Sequence, residues 1–107
     1  MANKVQIIKG FLEGFVLEVL SKEPLFTHEI IERLDTMGYK NLSEGTIYPL
    51  MLRLEAQSFI VYTKIPNPLG PMKKRYEITK DGLEELANIK AIWAEFRTIS
   101  DDILGGK

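Results

Sequence analysis

Cysteine is absent from this 107-residue chain, and histidine and tryptophan occur once each. Without cysteine there is neither a disulfide framework nor a thiolate metal site. A single histidine, His28, cannot build a zinc site by itself, and with no cysteine or second histidine nearby it suits a structural or solvent-facing role better than catalysis. There is no Gly-rich phosphate loop and no pair of carboxylates in an evident cleft. An enzyme is therefore not expected, and no metal or cofactor is implied. The longest apolar runs fall far short of a membrane span, and no signal-peptide pattern opens the chain. A cytoplasmic location without a membrane partner is the expectation.

Neither sign of charge dominates, with 14 Lys and Arg against 15 Asp and Glu. The distribution says more than the sum. Residues 40–80 hold seven cations (Lys40, Arg53, Lys64, Lys73, Lys74, Arg75, Lys80) against Glu44, Glu55 and Glu77, which leaves seven cations against twelve anions elsewhere. A basic middle between acidic ends fits one surface that meets nucleic acid and a back face kept away from phosphates. An ordinary solvated charge run is the plainer alternative. The apolar fraction of 45% and charged fraction of 27% are those of one small globular domain.

The informative stretch runs from Leu42 to Leu54. Ser43 is a good N-cap, and Glu44 suits the positive end of a helix dipole. Ile47, Leu50, Met51 and Leu54 recur at helical spacing as one buried stripe. The opposite side carries Gly45, Thr46, Pro49 and Arg53, with Tyr48 on the flank. A surface helix would carry longer charged groups there, so this compact face suits close approach to a partner. Pro49 would clash with the carbonyl four residues back. That residue is Gly45, which can shift at little steric cost, so the helix is expected to be bent or loosened in its first turns.

Around this helix the chain reads as follows. Residues 4–21 form a first helix with Val5, Ile8, Leu12, Phe15, Val16 and Val19 in one stripe, widened by Ile7, Phe11 and Leu20. Gly10 and Gly14, four apart, suit the close approach of another helix. Pro24 breaks the chain, Thr27 caps a second helix to about Met37 with Ile30, Ile31, Leu34 and Met37 inward, and Gly38 stops it. After Ser58 the period becomes that of a strand over residues 59–65. A stiff Pro66–Pro71 loop follows, and a second strand at Lys73–Thr79 pairs back as a hairpin, with Lys74, Tyr76 and Ile78 on one face. Thr79 caps a last helix, residues 80–104, whose Leu86, Ile89, Trp93, Phe96, Ser100 and Ile103 form a short heptad seam. Leu83, Ile92 and Ile99 broaden it beyond what one small domain can cover. Wrapping on the first helix of another chain, in a two-fold dimer, is the expected solution. Residues 105–107 read as a frayed tail.

Gly45-Thr46-Ile47-Tyr48-Pro49-Leu50, Arg53-Leu54-Glu55 and Gly70-Pro71-Met72-Lys73-Lys74-Arg75-Tyr76-Glu77-Ile78-Thr79, with Gly10-Phe11-Leu12-Glu13 near the start, resemble the PadR family of bacterial transcriptional regulators over nearly the whole chain. Thr27-His28 stands where that family usually has Gly-Tyr, Ser58 where Gly is usual, and Arg75 in place of a common aromatic. The resemblance implies a mainly α fold with a small β-hairpin. Residues 1–79 would form a winged helix-turn-helix, and residues 80–107 a C-terminal dimerisation helix. It also implies binding of double-stranded operator DNA as a homodimer, with repression the usual mode. A winged-helix protein-interaction module without DNA binding is the alternative.

On this basis Ser43, Thr46 and Tyr48 are assigned to the groove and its phosphate edges. Arg53, Lys64, Lys73, Lys74 and Arg75 are candidate phosphate or minor-groove contacts. Arg53 has a second role open to it, as partner of Glu55 or Glu44. In some short PadR-like regulators a tryptophan of the last helix, paired across the dimer, lines a pore for flat aromatic or drug-like molecules. Trp93 is placed for this, with Phe15, Val16, Ile89, Ile92 and Phe96. Simple filling of the dimer core is the other role open to Trp93.

Overall fold

A computed structural model describes residues 11–105. The expected first helix begins among residues that lie outside this range, and so do Val5, Ile7, Ile8, Gly10 and the last two residues. In chain order the elements are α1 (Leu12–Leu20), β1 (Leu25–Phe26), α2 (Thr27–Thr36), α3 (Glu44–Ala56), β2 (Ile60–Ile65), β3 (Lys73–Ile78) and α4 (Lys80–Leu104). The fold is mainly helical, with a three-stranded antiparallel sheet in the order β1-β3-β2.

The hairpin lies where the alternation predicts it, with Tyr62 opposite Tyr76 and Lys64 opposite Lys74. The third strand is an addition. Leu25 and Phe26 pair with Tyr76 and Arg75 on the outer edge of β3. Two residues after a proline carry no period, so only the neighbour's free edge reveals this strand. It also moves the start of α2. Phe26, not Thr27, holds the N-cap position, and the Glu29 carboxylate accepts from the Phe26 backbone N–H at 2.9 Å. An acidic side chain in the first turn thus takes up a donor that a hydroxyl cap would leave free.

Both helices of the helix-turn-helix end in the same motif. In α2 the Tyr39 N–H reaches the Leu34 carbonyl at 2.8 Å, and Gly38 between them has φ +110°. In α3 the Phe59 N–H reaches the Leu54 carbonyl at 3.0 Å, and the left-handed residue is Ser58, with φ +62°. Satisfying the last carbonyls this way normally falls to glycine. Ser58 accepts the strained conformation instead, at a cost of about 1 kcal/mol.

The core is built from one face of every helix. It holds Leu12, Val16, Leu17 and Leu20 of α1, Ile30 and Leu34 of α2, and Ile47, Leu50, Met51 and Leu54 of α3, with Leu25, Ile60, Tyr76 and Leu86. The α3 stripe is the one its spacing predicts. On α1 the buried set is rotated from expectation, because Leu17 is fully enclosed while Phe15 stands partly in solvent. On α2 Met37 is exposed, since the chain has already left the helix there. Pro49 lies within α3, which is one continuous helix across it.

α4 starts inside this core and leaves it. Thr79 caps it, its Oγ accepting from the Gly82 N–H at 2.9 Å and donating to the Ser58 carbonyl at 2.7 Å. Gly82 packs so tightly on the Phe59 carbonyl that no side chain fits. Leu86 is the last buried residue of α4, and residues 90–99 are exposed throughout. The first two turns of α4 therefore belong to the winged-helix core.

Candidate functional site

Ser43 sets the register of α3. Its Oγ accepts from the Thr46 N–H at 3.2 Å and lies 3.1 Å from the Thr46 hydroxyl, so two small polar groups mark the exposed helix start. Thr46, Tyr48, Pro49, Leu52 and Arg53 stand out of the core along one side. With its inner stripe wholly buried, α3 presents a compact ridge to solvent, and Tyr48 is half-exposed upon it. The N-terminal turn of α2 and strand β3 flank the ridge. Between them is a cleft of about 620 Å³, bounded by His28, Glu44, Tyr48, Met72, Lys73 and Lys74. His28 stacks flat on Phe26, 5.7 Å between ring centroids and 9° between planes, and the Lys73 ammonium lies 5.9 Å from the Phe26 ring.

The wing tip is a hydrogen-bonded turn. Asn67 accepts from the Leu69 N–H through its side chain at 3.2 Å and from the Gly70 N–H through its carbonyl at 3.1 Å. This local side-chain bond stands in for a backbone turn. Behind the tip, strand alternation divides the basic residues. Lys73 and Arg75 lie on the outer face and are exposed, while Lys74 shares the inner face with Tyr76 and is half-buried. Lys64, across from Lys74, is exposed. Burial pushes the Tyr76 phenol up to about 12, and the Glu55 carboxylate nearby adds to the rise.

Arg53 pairs with neither acidic residue expected of it. Its Nε donates to Glu13 Oε1 of α1 at 2.7 Å. Glu55 points instead toward the wing, with Lys74 3.9 Å away. Residues two apart on a helix face different ways, which rules out the Arg53–Glu55 pair. No sequence signal marks the partner forty residues back.

A second feature lies on the other side of α1. There α1 and α4 of the same chain pack together, so the first helix that α4 meets is its own. The methyl of Ile89 comes so close to Gly14 that an added Cβ would sit 2.8 Å from it. This is the close approach that the small residue predicts, although it comes from within the chain. An apolar groove of about 670 Å³ runs along the pair, lined by Phe11, Phe15, Ile89, Trp93 and Phe96 among others. Trp93 packs edge-on against Phe11 at 5.1 Å and 72°, and Phe96 is 6.2 Å from the same ring. Phe11 is thus the aromatic partner that periodicity alone does not single out. Of the residues assigned here from the sequence, Val16 is fully enclosed in the core and cannot line the groove, and Ile92 is exposed outside it. At one end the Lys90 ammonium sits 2.7 Å from the Glu18 carboxylate and holds its pKa below the usual range against the opposing effect of burial.

A helix-turn-helix with an adjoining basic hairpin defines the winged-helix class of DNA-binding folds. Comparison with known proteins narrows the class. The model of the transcriptional regulator PadR-like family matches residues 16–88. Among solved structures, a PadR-like transcriptional regulator from Bacillus cereus is 38% identical, with a TM-score of 0.82, covering 95% of this chain and 99% of its own. A PadR-like transcription factor from Bacteroides fragilis is 33% identical, with a TM-score of 0.79 and coverage of 94% and 96%. A Streptococcus transcriptional regulator is 31% identical, with a TM-score of 0.79 and coverage of 92% and 96%. No curated protein matches the chain. The chain belongs to the PadR-like family of transcriptional regulators. Among the described residues no helix is long and apolar enough to cross a membrane.

Proposed function

We propose that this PadR-like regulator is a homodimeric, sequence-specific repressor acting on cytoplasmic operator DNA and released by a flat aromatic ligand. The observation that carries the reading is the compact exposed ridge of α3 beside a hairpin whose outer face bears Lys73 and Arg75. Ser43, Thr46 and Tyr48 enter the major groove and touch its phosphate edges. Lys73 and Arg75, with Lys64 and Arg53 at the margins, neutralise phosphates and fix the register. Dimerisation covers the apolar side chains that α4 leaves in solvent, among them Ile92, Phe96, Ile99 and Ile103. It sets the two copies of α3 about 34 Å apart, one turn of the duplex.

The effector reading rests on the groove between α1 and α4, where Trp93 remains 44% exposed. A planar ligand stacking there would shift α4 and spoil the spacing of the two ridges, provided it binds that arrangement more tightly. An electrophoretic shift of the chain's own promoter region across a salt series tests the DNA-binding part. Replacing Lys73 and Arg75 together by Gln is expected to weaken binding to all duplexes and lower the salt slope by about 2. Unchanged affinity and slope would reject the wing contacts, and no shift in low salt would favour a protein-interaction module. Quenching of Trp93 by planar cationic dyes, with loss of the shifted band, is the expected effector result. DNA protection that persists at full dye occupancy would exclude release.

A further inference from the structure

The sheet register sets Lys64 directly across from Lys74, on the face that also carries Tyr62 and Tyr76. Like charges so opposed repel, and the two lysines differ in what they meet. Lys64 is exposed. The Lys74 ammonium lies 4.3 Å from the centroid of the Tyr62 ring and 3.9 Å from Glu55 Oε1 near the end of α3. Only 32% of the Lys74 side chain and 18% of the Glu55 side chain reach solvent. The second Glu55 oxygen is enclosed and accepts no hydrogen bond among the described residues. Lys74 is the cation that offsets this carboxylate, and removing a partly buried charge's partner is costly. A lysine drawn inward this way is turned from the outer face where Lys73 and Arg75 stand.

We infer that Lys74 is a positioning residue and not a phosphate contact: with Glu55 and Tyr62 it forms a latch that fixes the angle of the wing against α3. The sequence pattern alone groups Lys74 with Lys73, and the fold separates them.

Two measurements on the full chain test the latch, and only the second rests on the DNA-binding reading. In the free protein, amide hydrogen exchange across residues 61–75 should speed up about fivefold in both Glu55→Gln and Lys74→Gln, with the double variant no faster than either. Lys73→Gln should leave it unchanged. If Glu55→Gln does not fold, Tyr62→Leu, at a partly exposed ring, takes its place. With random-sequence duplex DNA, Lys74→Gln should weaken binding yet keep the salt slope, whereas Lys73→Gln should lower the slope by about 1. Glu55→Gln should also weaken binding, against the trend expected from removing a negative charge. Unchanged exchange in the two single variants would overturn the latch. So would a slope lowered by Lys74→Gln together with tighter binding by Glu55→Gln. If the parent chain binds no duplex, the proposed function fails and the exchange data still decide the latch.

Discussion

The winged-helix core and the outer part of α4 are made from similar side chains put to opposite use. In the core, α1, α2, α3 and the sheet enclose Val16, Leu17, Ile30, Ile47, Met51 and Leu54 completely or nearly so. Beyond Leu86, α4 carries Ile92, Trp93, Phe96, Ile99 and Ile103 with about half or more of each in water. One region has closed its apolar surface; the other, among the described residues, leaves a stripe open to solvent. An exposed patch of this kind, rimmed by polar residues, marks an interaction surface. Destabilising the first region should unfold the chain, and altering the second should change what it assembles with.

Four experiments bear on that contrast, in descending order of effect. Leu54→Ala empties a fully buried site in the last turn of α3 and is expected to cost about 3 kcal/mol, read as a lower midpoint in urea. A loss below 1 kcal/mol would mean that the core is not closed as described. Ile99→Glu puts a charge on the open stripe and is expected to weaken self-association at least tenfold in sedimentation equilibrium. The unfolding free energy of the dissociated chain should change by less than about 0.5 kcal/mol. A large loss in the monomer would show that α4 is covered from within.

The third experiment uses Tyr76, whose phenol is raised to about 12 by burial. In the unfolded chain it ionises near its ordinary value of 10.0. Between these values the folded state holds a proton that the unfolded state releases, so stability falls as pH rises from 10 to 12. Tyr76→Phe should remove that part of the alkaline decline. The fourth effect has the opposite sign. Ser58→Gly relieves a left-handed serine and should stabilise the chain by about 1 kcal/mol in thermal or urea unfolding.

The same contrast explains what could be read from the sequence. Local signals placed Ser43 and Thr79 as caps, Gly38 as a stop, the α3 stripe, both hairpin strands and the limits of α4, because each depends on neighbours within a few residues. The signals failed where the partner is remote. β1 exists only because β3 offers a free edge, Glu13 meets Arg53 across the fold, and Phe11 meets Trp93 only when α1 and α4 lie side by side. Val16 illustrates the same limit, since a helix apolar on several sides does not reveal which side the core takes. The compact face of α3 and the basic hairpin were legible because they break ordinary surface composition. The division of labour between Lys73 and Lys74 needed the strand register and the position of Glu55.

The absent side chain at Gly82 has a mechanical consequence. The root of α4 sits directly on the Phe59 carbonyl, and Thr79 is tied to Ser58, so the long helix is bolted to the junction from which the wing springs. Its 25 residues extend about 37 Å from that joint. A tilt of about 5° at the base sweeps the far end through roughly 3 Å. A small displacement of the outer helix thus turns on an anchor beside the root of the hairpin.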